Sequence, residues 1–207
     1  MKGLIYDTEI LKAIPTWSAP NVPGIEYCQG WRDFPNMGLA CCCALEFDSW
    51  GFGAPRVFLK DNFDELARLA ADPDVLMVGF NNHQFDDQLL QAAIGARVAN
   101  SYDLLREVWM FVGVDPDHYH ASTHGGYGLN AIAEANDCGS KTGRGDLAPI
   151  LWQKGQPGKV IDYCMNDVFL LARLIQKLIR AGSIINPVTR QLMYPSTVAL
   201  KRVCLGL

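Results

Sequence analysis

Asp7 and Glu9 stand two apart in GLIYDTEI, directly after the apolar run Leu4, Ile5, Tyr6. Such a run reads as a strand near the core, and on a strand residues i and i+2 face the same way. The two carboxylates therefore project together. Side by side on a buried face they would repel each other and lose their hydration unless a cation neutralised them, so the pair asks for a hard metal ion. In VIDYCMNDVFLL, Tyr163 and Asp167 are four apart within an apolar-periodic stretch from about 158 to 181. That spacing puts a phenol and a further carboxylate on one helical face, about one turn apart. Asp86 follows a third signal: Val75, Leu76, Met77 and Val78 read as a buried strand, Gly79 to Gln84 as an Asn-rich turn, and a helix begins near Phe85. Asp86 thus falls in a first helical turn at the end of a strand. The helix dipole also favours an acid there without any metal, and Asp87 shares that explanation.

Taken together, these segments resemble the three exonuclease motifs of the DEDD superfamily, the DnaQ-like 3'-5' exonucleases with an RNase H-like fold. Asp7-Thr8-Glu9 matches the first motif, Asn81 through Phe85-Asp86 the N-x-x-x-F-D form of the second, and Tyr163 through Asp167 the Y-x-x-x-D third motif. Tyr at that position marks the DEDDy subgroup. Each motif alone is weak, but their order and their strand and helix contexts make the set specific, and the likeness runs from residue 3 to about 180. It implies an α/β fold, a mixed β-sheet flanked by helices. It also implies two divalent cations, with Asp7 bridging them, Glu9 and Asp167 completing one site, Asp86 serving the other largely through water, and Tyr163 orienting the attacking water. Mg or Mn suits all-oxygen ligation. A phenol whose ordinary pKa is near 10 is better cast as a hydrogen-bond orienter than as a strong base. The activity implied is hydrolysis at the 3' end of single-stranded or frayed DNA. An exoribonuclease is the alternative, because nothing here tells a 2'-hydroxyl from hydrogen. So is an adaptor or proofreading-type module docking a polymerase, helicase or other replication or repair partner.

The elements that must carry these residues follow from patterning. Residues 3–10, 40–47 and 54–60 read as strands, with a turn at 48–53; a helix over 62–71, capped by Asp61, leads to the strand at 75–80. Residues 101–112 read as a helix containing Asp103, Arg106 and Trp109, with Asp103 either a further acid near the site or an N-cap. Residues 128–135 form a short helix. The tail from 184 to 207 suggests a terminal strand or hairpin. The chain of 207 residues is expected to form a single domain with a long insertion at 11–38 and this short C-terminal extension. Trp17, Tyr27, Trp31 and Phe34 argue for an ordered insertion beside the cleft, with Trp17 and Trp31 placed to stack bases. Trp109 and Trp152 read as core.

Between the motifs lie DPDHYHASTHGGYG and the basic, Gly-rich loop 141–146. His118 and His120 could converge on zinc or touch phosphate, but a polar exposed loop explains them more simply. Lys141 and Arg144 are either solvated charges or contacts to a phosphate backbone, and Asn81 is a further candidate for substrate binding. Apolar residues make up 49% and charged residues 19% of the chain, which excludes a disordered chain. A net charge of −4 argues against a general nucleic-acid-coating protein. It does not argue against a nuclease, since bound cations invert the local sign. No apolar run approaches the ~20 residues of a membrane span, and the N-terminus enters the first strand without a signal-peptide pattern. The expectation is a cytoplasmic protein without membrane contact. Seven cysteines, Cys41 to Cys43 consecutive and none in C-x-x-C spacing, fit reduced core residues better than disulfides or a zinc site.

Overall fold

The computed structural model describes residues 1–16 and 21–206. Strand β1 (Lys2–Ile10) is the centre of a five-stranded mixed sheet. It pairs antiparallel with β2 (Leu39–Asp48), which pairs antiparallel with the edge strand β3 (Gly51–Phe58). On its other side β1 runs parallel to β4 (Val75–Gly79), which runs parallel to the short β5 (Ser101–Asp103). The order is β3-β2-β1-β4-β5. With helices on both faces, this is an α/β architecture of RNase H-like type.

Alternation along the strands divides the core in two. Ile5, Cys41, Cys43 and Leu45 face helix α8 (Pro157–Ala181), whose buried stripe includes Val160, Cys164, Val168 and Leu171. Leu4, Tyr6, Cys42 and Ala44 face α2 (Phe63–Ala71) and α3 (Asp86–Ile94), which bury Leu66, Leu89 and Leu90. Helix α8 opens with Pro157 in its first turn and stops at Gly182, whose left-handed backbone releases the chain.

The remaining helices are α1 (Phe34–Met37), α4 (Leu104–Phe111), α5 (Ala121–His124), α6 (Leu129–Ala135), α7 (Ala148–Gln153) and α9 (Val198–Leu205). Four expectations need correction. The cap of α2 is Asn62 and not Asp61, and the Asn62 side chain turns back to Leu59 N–H and Val57 C=O. Residues 101–103 are a strand, so the helix there starts at Leu104 with Asp103 as its cap. The 118–124 segment carries the short helix α5. The tail forms the expected hairpin, β6 (Ile184–Ile185) with β7 (Leu192–Met193), but then adds α9, whose Leu200 and Val203 join the core. Within 11–38, an isolated bridge ties Ala13 to Tyr27 and α1 packs against α3. Trp17 lies outside the described residues. No described helix is long and apolar enough to cross a membrane.

Candidate active site

The ladder between β1 and β4 ends at Ile5 opposite Val78, so β1 outlasts its parallel neighbour at Asp7, Thr8 and Glu9. Such ends of parallel strands, where the sheet's connectivity changes direction, are where α/β folds place ligand sites. Thr8 finds another partner there. Its N–H donates to Asp86 Oδ1 at 3.1 Å and its hydroxyl to the same oxygen at 2.5 Å. Residue Thr8, between the two first-motif acids, therefore fixes the second-motif acid, a role that sequence reasoning missed. The only available signal was a hydroxyl at that spacing.

Asp7, Glu9, Asp86, Tyr163 and Asp167 line one open cleft of about 350 Å³, together with Asn81, Trp31 and Lys141. Glu9, Asp86 and Asp167 are buried. Burial pushes the pKa of Asp7 well up, and the charges of Asp86 and Asp167 push it further. Burial and then Asp7 act in the same direction on Glu9. Asp86 is raised to about 7 by burial, against the opposing hydrogen bonds from Thr8. Asp167 is raised by burial despite Lys141. Lys141 Nζ lies 2.5 Å from Asp167 Oδ2 and 3.2 Å from the Tyr163 hydroxyl. Burial would discharge this ammonium, but Asp167 and Tyr163 hold its pKa above the ordinary lysine value. The other oxygen of Asp167, Oδ1, is buried with no hydrogen-bond partner among the described residues. An orphaned carboxylate oxygen among raised carboxyls is what a hard cation would satisfy, and the all-oxygen donor set fits that class of ion.

The second-motif loop is held by its backbone. Asn81 adopts φ +66, a left-handed conformation open to Asn at little cost. Asp103 accepts from the N–H groups of Asn81 and His83 as well as from Leu105 and Arg106 in α4. It is a cap and a loop anchor, not a cleft acid. The third-motif phenol is held by the 141–146 loop, where any side chain at Gly143 would collide with the Tyr163 ring at 2.9 Å.

Asp87 occupies a different environment from Asp86. Tyr6 O–H and Ser101 O–H donate to its two oxygens, and the Asn82 amide approaches both at 3.4 and 3.5 Å. It ties β1, β5 and the start of α3 together beneath the cleft and does not line it.

A larger groove of about 960 Å³ continues from the same acids, lined by Trp31, Phe80, Trp109, Tyr119, His124 and Lys141 among others. Trp31 borders both spaces, is 58% exposed, and rests its ring 5.1 Å from that of Phe85. Trp109 is buried, as expected, and Trp152 packs partly buried against the core. Arg144 is not brought to either space; it pairs with Asp146 and remains exposed. Among the described residues, no histidine joins a group of metal-ligand spacing. His118 bonds Asp115, while His124 is buried between the Asp115 carbonyl and the His120 backbone.

No protein-family model and no curated protein matches the chain. Solved structures do. Escherichia coli exonuclease I, in a zinc-bound complex with single-stranded DNA, superposes with a TM-score of 0.50 and 13% identity over 86% of this chain and 40% of that one. The same exonuclease with a 5cy-dT13 oligonucleotide gives a TM-score of 0.48 and 12% identity over the same shares. The chain thus spans about 40% of the length of these neighbours. At this identity the likeness shows the shared fold.

Proposed function

We propose that this protein is a metal-dependent 3'-5' exonuclease of the DEDDy type that hydrolyses single-stranded or frayed DNA. The observation that carries the reading is the convergence of Asp7, Glu9, Asp86 and Asp167 with Tyr163 in one cleft, from segments far apart in sequence. The fold is shared with exonuclease I, a protein solved in complex with single-stranded DNA.

Asp7, Glu9, Asp86 and Asp167 would hold two divalent cations, Mg or Mn. When bound, such ions make a nucleophile from water at neutral pH and offset the charge that grows on the phosphoryl oxygens. The protein's own groups supply the rest. Tyr163 offers a hydroxyl whose pKa burial raises, so it stays protonated and positions a water by hydrogen bonding. Lys141, already within reach of Tyr163 and Asp167, can turn its ammonium to a phosphate oxygen at the cleft. Trp31 presents an exposed ring where the cleft meets the groove, suited to stacking a terminal base. Asn81 lines both spaces and can meet the sugar or phosphate between them. Arg144, paired with Asp146, contributes by long-range charge alone.

The test is a time course on 5'-labelled DNA and RNA oligonucleotides with Mg, Mn or chelator. A metal-dependent ladder shortening from the 3' end, faster on DNA, is expected. Degradation that ignores chelation, or internal cleavage, would overturn the reading; a preference for RNA would move it to an exoribonuclease.

A further inference from the structure

Strand β2 carries three consecutive cysteines, and strand alternation separates them. Cys41 and Cys43 face α8, whereas Cys42 faces the α2 and α3 side. From α8, Cys164 comes down onto the first two, with all three fully buried. Their Sγ atoms lie within 4.8 Å of one another. Buried cysteines often serve as small apolar residues, which accounts for Cys42 among the side chains of the opposite core. It does not account for three sulfurs, from two elements, closing on one point.

The spacing suits a shared ion. Three sulfurs each about 2.3 Å from one cation stand about 4 Å apart in a trigonal arrangement, so small side-chain rotations would suffice. The site also has an access route. Cys164 Sγ belongs to a second group, lying within 4.8 Å of ligand oxygens of both Asp7 and Glu9. These acids border the open cleft, so a cation drawn in by them stands next to the buried Cys164 thiol behind them.

We propose that Cys41, Cys43 and Cys164 form a thiolate site for one soft divalent d10 cation of the zinc and cadmium class, behind the carboxylate cluster and loaded through it. Ligand softness keeps the two sites distinct: thiolates select zinc or cadmium, and carboxylates magnesium or manganese. Binding replaces three S–H bonds by three sulfur–metal bonds and releases three protons to solvent. Two of those thiols have hydrogen-bond acceptors, since Cys164 donates to the Asp7 carbonyl at 3.3 Å and Cys43 to the Ile161 carbonyl at 3.6 Å. Loading the triad therefore detaches Cys164 from the backbone of Asp7.

The experiment titrates the full chain, reduced and freed of metal, with Cd²⁺ in excess Mg²⁺. It follows the ultraviolet thiolate-to-cadmium charge-transfer band and proton release. One equivalent of Cd²⁺ producing the band is expected. Removing a partner outside the first ligand shell typically costs 10–100-fold in affinity, so losing a ligand in Cys43→Ala should weaken Cd²⁺ binding by about 100-fold or more. Cys42→Ala, on the same strand but the other face, should bind as the parent does. X-ray absorption on the unaltered Cd²⁺ protein covers the case in which a variant fails to fold, and three sulfur neighbours are expected. A shell of one sulfur with oxygens would assign the ion to Asp7, Glu9 and Cys164 and overturn the triad. Absence of the band, or undiminished binding by a folded Cys43→Ala protein, would also overturn it. None of these readouts depends on hydrolysis, so they succeed or fail apart from the nuclease reading.

Discussion

Asp87 and Asp167 are both carboxylates built into the body of the protein, and they are treated in opposite ways. Asp87 sits on the α3 side of the sheet with both oxygens engaged by Tyr6, Ser101 and Asn82. Asp167 sits on α8 with one oxygen on Lys141 and the other without a partner among the described residues, beside acids whose pKa values are all raised. A buried polar group that is fully bonded holds structure together, whereas one left open costs stability until something binds it. The first network is scaffold, and the second is the one to which the proposed function assigns a ligand.

The sharpest way to break this comparison is Asp7→Asn. A near-isosteric loss of charge should abolish hydrolysis while the metal-free protein melts higher, because repulsion from Asp86 and Asp167 is relieved. A lower metal-free melting temperature would place Asp7 with the scaffold acids. Asp86→Ala and Asp87→Ala should then fail differently. Asp86→Ala should be close to inactive, yet folded. Asp87→Ala strands the buried Tyr6 hydroxyl and should cost about 1–3 kcal/mol in chemical denaturation, the penalty of one unsatisfied buried group. If Asp87→Ala matches the parent in stability, the clamp carries no weight.

Tyr163→Phe keeps the ring and deletes one hydroxyl. Turnover should fall about 10- to 1000-fold, the scale of one positioned group at a transition state, with Mn²⁺ affinity by calorimetry nearly unchanged. Asp167→Asn should instead weaken Mn²⁺ binding. Trp31→Ala should weaken oligonucleotide binding by about 1–3 kcal/mol, measured by fluorescence anisotropy, with little change in the chemical step. The smallest effect is on pH. Burial pushes the Asp86 pKa up to about 7 in the folded protein, against about 3.9 in an unfolded chain. Between those values the folded state holds a proton that the unfolded state has lost, so this group's contribution to stability is full at low pH and disappears as pH rises through about 7. Metal-free melting temperature should fall across that window, and Asp86→Asn should flatten the decline.

Much of this arrangement could be read from sequence because β1, β4 and α8 have strong periodicity and the acids sit at fixed offsets within them. That pattern points to Asp7, Glu9, Tyr163 and Asp167, the motif resemblance picks Asp86 over Asp87, and all five line one cleft. What escaped depends on distant pairings. Nothing local says that Tyr6 will meet Asp87, that Thr8 will hold Asp86, or that Cys164 will close on Cys41 and Cys43. Asp103 and Asn62 show a smaller difficulty: capping residues and short strands shift boundaries by a residue or more, since several neighbouring side chains can satisfy the same N–H groups. Of the two readings of Arg144, the solvated charge fits its exposed pairing with Asp146, two residues on, and a charge run gives no warning of such an internal pair.

The central position of β1 also sets when the site can exist. This strand takes its antiparallel partner from the residues that follow it, but its cleft takes one wall from α8, and Asp7 lies 157 positions before the Cys164 thiol that meets its carbonyl. Contacts that distant form late, because the intervening chain must first lose its freedom. On a ribosome the N-terminal strands would emerge and pair well before the helix bearing Tyr163 and Asp167 had been made. The nascent chain would carry Asp7 and Glu9 as ordinary solvated acids, and the proposed site would be complete only when its last long helix docks.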